Sequence, residues 1–289
     1  MQRAIIAALA DLHVGSPFAL CPPTWNLPDG ATPLQPNELQ TLIRQHWLAC
    51  WDKLAALRKG ARLIVVLAGD ACEGLHHDTV QVTTARLEVQ EQMAVSVIEE
   101  GLARAKFSLR KHDVLRCVAG TGAHDGAGGA SFERVARQLT DYSGDGRVSK
   151  DADDFTVNGV RFLVAHKPGS GPGSRNQTLG NAYQNWLRSL YFAALEAGVS
   201  SQAGPSAPRY VLTAHYHQYM TRPVYNSRGA EVLTGVMLPS FKVKDEHIWH
   251  VNPFGLAQVG MCALEVQPDG ATTLHDWRIN VEQGKSEEL

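Results

Sequence analysis

Asp11, His13, Asp70, His124, His166, His215 and His217 are the residues of this chain whose types and surroundings could do chemistry together. Each stands at, or just after, the end of an apolar run. Imidazole nitrogens combined with carboxylate oxygens, and no thiolate, suit a borderline divalent cation such as Mn²⁺, Fe²⁺ or Zn²⁺. Two cations side by side need a carboxylate to bridge them. Asp70 is the natural bridge, because it ends an apolar stretch and follows Gly69, which lets the backbone approach closely. An aspartate so placed needs a partner or a metal to offset its desolvation. His215 and His217 lie two apart, so in extended chain both face one side.

These residues require strands that end at a common edge. Ala4 to Leu9 reads as a buried strand running into Asp11-Leu-His13, and Leu63 to Leu67 as a second one stopped by Gly69-Asp70. Val114 to Val118 runs into the glycine-rich stretch Gly120 to Gly129 that holds His124. Asp154 to Val157 and Val160 to Ala165, joined by Asn158-Gly159, form a hairpin that stops at His166. Tyr210 to Thr213 ends at Ala214-His-Tyr-His217, and Ala257 to Val266 with Thr272 to Ile279 make a later pair. Helices are expected from Asn37, which caps a face containing Trp47 and Trp51, and over Val80 to Lys106, Ala130 to Leu139 and Gln177 to Ala197. Leu20 to Pro36, Lys167 to Arg175 and Ser200 to Pro208 read as loops. In open α/β sheets the carboxyl ends of strands are where ligands bind, so residues far apart in sequence would converge there.

Composition narrows the class. The 289 residues carry 27 Lys and Arg against 29 Asp and Glu, a net charge of −2, with 44% hydrophobic residues. That excludes a disordered chain and a polyelectrolyte gripping nucleic acid by bulk charge. Five scattered cysteines without C-x-x-C spacing support neither a disulfide framework nor a cysteine zinc site, and fit a reducing cytoplasm. The opening apolar run is too short to span a bilayer, and it is followed by Asp11 in place of a cleavage site. One domain over residues 1–282 and a polar tail over 283–289 are expected.

The order Asp11-x-His13, Gly69-Asp70, a glycine-rich turn with His124-Asp125, His166, then Ala214-His215-x-His217 resembles the calcineurin-like metallophosphoesterases. The likeness extends from Asp11 to His217. The long proline-rich loop and the Gly-Thr-x-x-His form of the third motif are similar to phage and prophage members. The resemblance implies an α/β fold in which two mixed sheets pack as a sandwich flanked by helices. It implies that Asp11, His13 and His217 hold a first metal, that His166 and His215 hold a second, and that Asp70 bridges them. His124, oriented by Asp125, would stand beside the substrate phosphate. Where the family has an asparagine ligand this chain has Ala123; Thr121, two residues earlier, offers a hydroxyl in its place. The implied cofactors are two divalent ions, Mn²⁺ first, with Fe, Zn or Ni as alternatives. The implied substrate is a phosphoester, including a nucleotide or a single-stranded nucleic acid end, with no membrane partner.

Other readings compete. Gly120-x-Gly122-x-x-x-Gly126 is close to a dinucleotide-binding fingerprint, but its spacing is imperfect and it leaves the other histidines unexplained. Gly169 to Ser174 lacks the Gly-Lys-Ser/Thr ending of a phosphate loop. His76 and His77 are either substrate-reaching or a solvated loop; Glu246, His247 and His250 read as rim residues. From a different class, the missing asparagine would mark a decayed site on the same fold, serving as a binding or scaffold module.

Overall fold

The structure is a computed structural model; it describes residues 2–27, 30–76, 81–169, 178–200, 207–243 and 257–281. The expectations placed on His77, Glu246, His247, His250, most of the loop after Lys167 and the tail from residue 283 lie outside the described residues.

Two mixed five-stranded sheets form the centre. In sheet one, β1 (Ala4–Leu9), β2 (Arg62–Ala68) and β3 (Val114–Val118) run parallel, while β9 (Ala257–Val266) and β10 (Thr272–Val281) add antiparallel strands beside β1. In sheet two, β5 (Val160–Ala165), β6 (Tyr210–Thr213) and β8 (Glu231–Met237) are parallel. Its antiparallel edges are β4 (Ala152–Val157) and β7 (Met220–Tyr225). The helices are α1 (Glu38–Arg58), α2 (Leu87–Arg104), the single turn α3 (Gly122–Asp125), α4 (Ala130–Thr140) and α5 (Leu179–Ser200).

Strand alternation sorts the side chains into layers. Ile6, Ala8, Ile64 and Val66 of sheet one pack on Phe162, Val164, Leu212 and Val236 of sheet two, so the inner faces form one core. The outer face of sheet one, with Ile5, Leu9, Val65 and Leu67, packs on Trp47, Trp51, Met93, Ile98 and Phe132 of the helices. Tyr183 and Leu187 of α5 cover Val211, Leu233 and Met237 on the outer face of sheet two. The result is the α/β sandwich expected from the sequence, with Trp47 and Trp51 in the core.

Local signals explain several boundaries. Asn37 caps α1 and forms a capping box with Gln40. Asn158 and Gly159 both take positive φ, 49° and 82°, as a two-residue hairpin turn demands. α2 begins at Leu87, seven residues after the expected start, because the preceding segment is tied elsewhere: the Thr83 N–H donates to the Gly15 carbonyl at 2.6 Å. All five cysteines are free and buried. Among the described residues no helix is long and apolar enough to cross a membrane.

Candidate metal centre

The chain leaving β1 runs beside the chain leaving β2. Asp11 N–H donates to Gly69 O at 3.1 Å, His13 N–H to Asp70 O at 3.0 Å and Val14 N–H to Ala71 O at 2.9 Å. This pairing carries Asp11, His13 and Asp70 to one edge. β3 arrives as close as two glycines allow: a Cβ on Gly69 would lie 2.4 Å from the Gly120 Cα, and one on Gly120 would lie 2.1 Å from Asp70 Oδ1. From sheet two, the Ala214 N–H donates to His166 O at 2.7 Å, and the His215 N–H donates to Asp11 Oδ2 at 3.0 Å, joining the two sheet ends.

The backbone there is strained. Asp11, His13, Asp70, His215 and His217 all have φ between 46° and 78°, in the left-handed region. For residues with a Cβ such conformations cost on the order of 1–3 kcal/mol each and collect at functional sites. Turning sharply off the strand ends aims the side chains inward.

Three overlapping groups result, each with ligand atoms within 4.8 Å of one another: Asp11 with His13 and His217; His13 with Asp70 and His124; Asp70 with His166 and His215. Asp70 belongs to two of them, and every residue named as a ligand from the sequence, Thr121 aside, falls in one. His13 Nε2 and His217 Nε2 face each other at 3.0 Å. Around Asp11 Oδ1 stand the Nε2 atoms of His13, His166 and His217 at 3.8, 3.9 and 3.7 Å, too far to hydrogen-bond. Asp11 Oδ1, Asp125 Oδ1 and His217 Nδ1 are buried with no hydrogen-bond partner.

The electrostatics are those of carboxylates crowded out of water. Burial, opposed by His166 and reinforced by Asp70, raises Asp11 to about 7. Burial together with Asp70 likewise raises Asp125 to about 7. Asp70 goes the other way: burial alone would raise it, but hydrogen bonding to His166 and the charges of His166, His13 and His124 hold it below the carboxylate range. For His166, burial is outweighed by the Asp70 contact at 3.1 Å and by the Asp11 and Asp70 charges, which lift it to about 10. Burial, with neighbouring positive groups, pushes His13 and His217 well below the ordinary imidazole value and His215 to about 4.

The ligand-type residues are held in different ways. His166 Nδ1 donates to Ala68 O at 2.7 Å. His13 Nδ1 lies 2.9 Å from Glu73 Oε2, and Glu73 is gripped by Lys242 Nζ at 2.8 and 3.0 Å. His124 Nδ1 donates to the Glu73 carbonyl at 2.6 Å. The expectation that Asp125 orients His124 is therefore corrected: Asp125 Oδ2 turns back to accept from the Gly120 and Asp70 N–H groups, because α3 points its side chain under the turn. Thr121, expected as a stand-in ligand, donates its N–H to Asp70 Oδ1 at 2.7 Å, and its hydroxyl lies 3.3 and 3.4 Å from the two Asp70 oxygens, so it braces that carboxylate.

Glu73, Lys242 and His76 were not singled out as site residues from the sequence. Glu73 stands three after Asp70 in a buried Ala71-Cys72-Glu73 run, where a lone acid is itself a signal. His76, weighed as either substrate-reaching or solvated, sits 3.2 Å from Glu73 Oε1 with its ring against that of His124, 4.2 Å between centroids. Glu73, His76 and His124 form a fourth ligand-like group, but the Lys242 ammonium already supplies its positive charge.

No family model matches the chain, and no curated protein sequence matches it. Among solved structures it is similar to an archaeal phosphodiesterase at 8% identity, covering 94% of this chain and 99% of that one, with a TM-score of 0.39. A dimetal phosphatase from Danio rerio is similar at 10% identity, covering 96% and 98%, with a TM-score of 0.40. A phosphatase from Mycoplasma pneumoniae is similar at 9% identity, covering 96% and 93%, with a TM-score of 0.41.

Proposed function

We propose that this chain is a metal-dependent hydrolase of phosphoester bonds with a dinuclear site. The observation that supports this most is Asp70, shared between the group containing His13 and the group containing His166 and His215, beside a third group with Asp11 and His217. The donor set fits divalent cations. Buried carboxylate and imidazole atoms face one another unpartnered, burial raises Asp11 and Asp125, and three histidines are kept neutral for ligation. Asp11, His13, His217 and Asp70 would hold one ion and Asp70, His166 and His215 the other. Bound there, divalent cations supply Lewis-acid stabilisation of phosphoryl oxygens and activation of water at neutral pH.

The chain's own residues do the rest. The Glu73 carbonyl fixes the His124 proton on Nδ1, and burial, opposed by Asp70 and Glu73, keeps the ring neutral, so Nε2 presents a lone pair. His124 can then exchange a proton with the reacting oxygens as a general acid–base group. Thr121 and the Gly69–Gly120 contact hold Asp70 in register. Asp125 supports the same turn from beneath.

Monoesters, diesters and nucleotide-like substrates, or a single-stranded nucleic acid end, fit this site; a net charge of −2 disfavours long duplex DNA. Manganese is the first choice of metal, and a phage-type relationship rests on the sequence motifs. The deciding experiment is hydrolysis of bis-p-nitrophenyl phosphate and p-nitrophenyl phosphate by chelator-stripped protein, with and without added Mn²⁺. Mn²⁺-dependent turnover by the wild type that is lost in Asp70→Asn is expected. Two bound ions without turnover of either ester would instead favour the binding-module reading.

A further inference from the structure

Lys242 is 3% exposed and Glu73 1%, so the ammonium and carboxylate meet almost out of water, at 2.8 and 3.0 Å. A buried ion pair is a weak source of stability, since desolvation of both charges offsets most of their attraction. Its position is more informative. Glu73 Oε2 lies 2.9 Å from His13 Nδ1, and His13 turns its other nitrogen toward His217. The segment carrying Lys242 also holds the neighbouring backbone: Ser240 Oγ donates to Asp11 O at 2.9 Å, Phe241 N–H to Asp11 O at 3.0 Å and Val243 N–H to Phe18 O at 2.9 Å.

We propose that Lys242 is a positioning residue for the metal centre: by fixing the Glu73 carboxylate against His13 Nδ1–H, it holds His13 in the tautomer whose Nε2 lone pair is free to bind a cation. The role rests on the dinuclear reading above and extends it to a residue 169 positions from its carboxylate partner. The physical reason is the general one for ligating histidines, whose second nitrogen is oriented by an outer carboxylate. Here that carboxylate also faces His76 Nε2 at 3.2 Å, so without Lys242 it can turn toward His76 and release His13. The hydrogen bonds described for Lys242 go to the Glu73 carboxylate and the Ser240 hydroxyl, and its charge is also felt at Asp11, His13 and His217; the positioning acts through Glu73.

Two measurements test this. In chelator-stripped protein, long-range ¹H–¹⁵N spectra of the imidazoles should show His13 protonated on Nδ1 in the wild type, and a mixed or Nε2-protonated ring in Lys242→Met. In Mn²⁺ titrations followed by electron paramagnetic resonance, Lys242→Met should weaken the tighter ion by roughly 10- to 100-fold, the range for outer-shell partners. Lys242→Arg should recover part of the loss. Glu73→Gln combined with Lys242→Met should bind Mn²⁺ no more weakly than Glu73→Gln alone, because the lysine then has nothing to position. A folded Lys242→Met with wild-type Mn²⁺ affinity and an unchanged His13 tautomer overturns the proposal, as does additive loss in the double variant. If Lys242→Met does not fold, Lys242→Gln takes its place in both measurements, with the same outcomes supporting or overturning the proposal. A wild type that binds no Mn²⁺ would sink the dinuclear reading, whereas the tautomer spectra, taken without metal, still decide the role of Lys242.

Discussion

The two halves of the centre are held by different physics. On the side of Asp11, His13 and His217, an ion pair recruited from distant sequence braces the imidazole, and both rings are kept neutral by burial and nearby positive charge. On the side of Asp70, His166 and His215, backbone groups do the bracing: Ala68 O accepts a hydrogen bond from His166 Nδ1–H, and Thr121 N–H donates to Asp70. The first half is ready for a cation as it stands. In the second, His166 already lends its own positive charge to Asp70, at 3.1 Å, and must give up a proton before it ligates. The difference teaches that the first half should bind more tightly and the second should depend more on pH.

The largest effect is expected where the halves meet. Asp70→Asn should reduce phosphodiester hydrolysis to background and lower bound Mn²⁺ at both positions, since an amide carries no charge and bridges poorly. Near-normal turnover would remove Asp70 as the shared residue. His124→Ala should cut kcat by roughly 10² to 10⁴, the range for one acid–base group, with the metal content unchanged; loss of metal would instead make His124 a ligand. The comparison itself is tested by His217→Ala against His215→Ala. Elemental analysis after limited Mn²⁺ loading should show the first variant losing the tighter ion and the second only the weaker one. The reverse order would invert the assignment of strength.

A smaller effect separates the halves by pH in chelator-stripped protein. The folded value of His166, about 10, lies above its ordinary 6.5, so the stability it contributes is full below about 6.5 and lost as pH rises toward 10. His13 and His217, depressed in the fold, contribute stability that is full above 6.5 and lost as pH falls. Melting temperature should therefore decline on both flanks, and Mn²⁺ should flatten the alkaline one. An alkaline limb untouched by His166→Asn would contradict this. Smallest of all, Asn37→Ala should cost about 1 kcal/mol by chemical denaturation and leave Mn²⁺ affinity unchanged, because that cap lies on the scaffold.

The sequence supported the candidate ligand set of the first half better, because Ala123 stands where the resembled family has a second-metal asparagine, yet the supports of the second half were the easier to foresee. Asp70, His166 and His215 end or follow apolar strands, and their bracing groups are backbone, which every residue supplies. The candidate ligands of the first half were equally visible at Asp11, His13 and His217, but their support was not. Glu73 sits within a loop whose burial is set by α2 and β1, and Lys242 reaches it only because the chain after β8 folds beneath Asp11. Asp125 misled for a local reason: neighbours in sequence need not face one another once a single helical turn rotates them apart. β7 carries Pro223 at a sheet edge, and neither it nor β8 could be bounded from pattern alone.

The pairing of His13 with His217 closes a loop of 204 residues. A contact that distant is expected to form late, because the entropy of closing its loop must be met before the contact rewards it. A cation that needed both residues would have no complete cage on a half-formed chain, so it would stabilise the native state without touching the transition state that precedes it. Mn²⁺ should then slow unfolding many-fold while leaving the refolding rate almost unchanged, and the centre would act as a latch on a protein that has already found its shape.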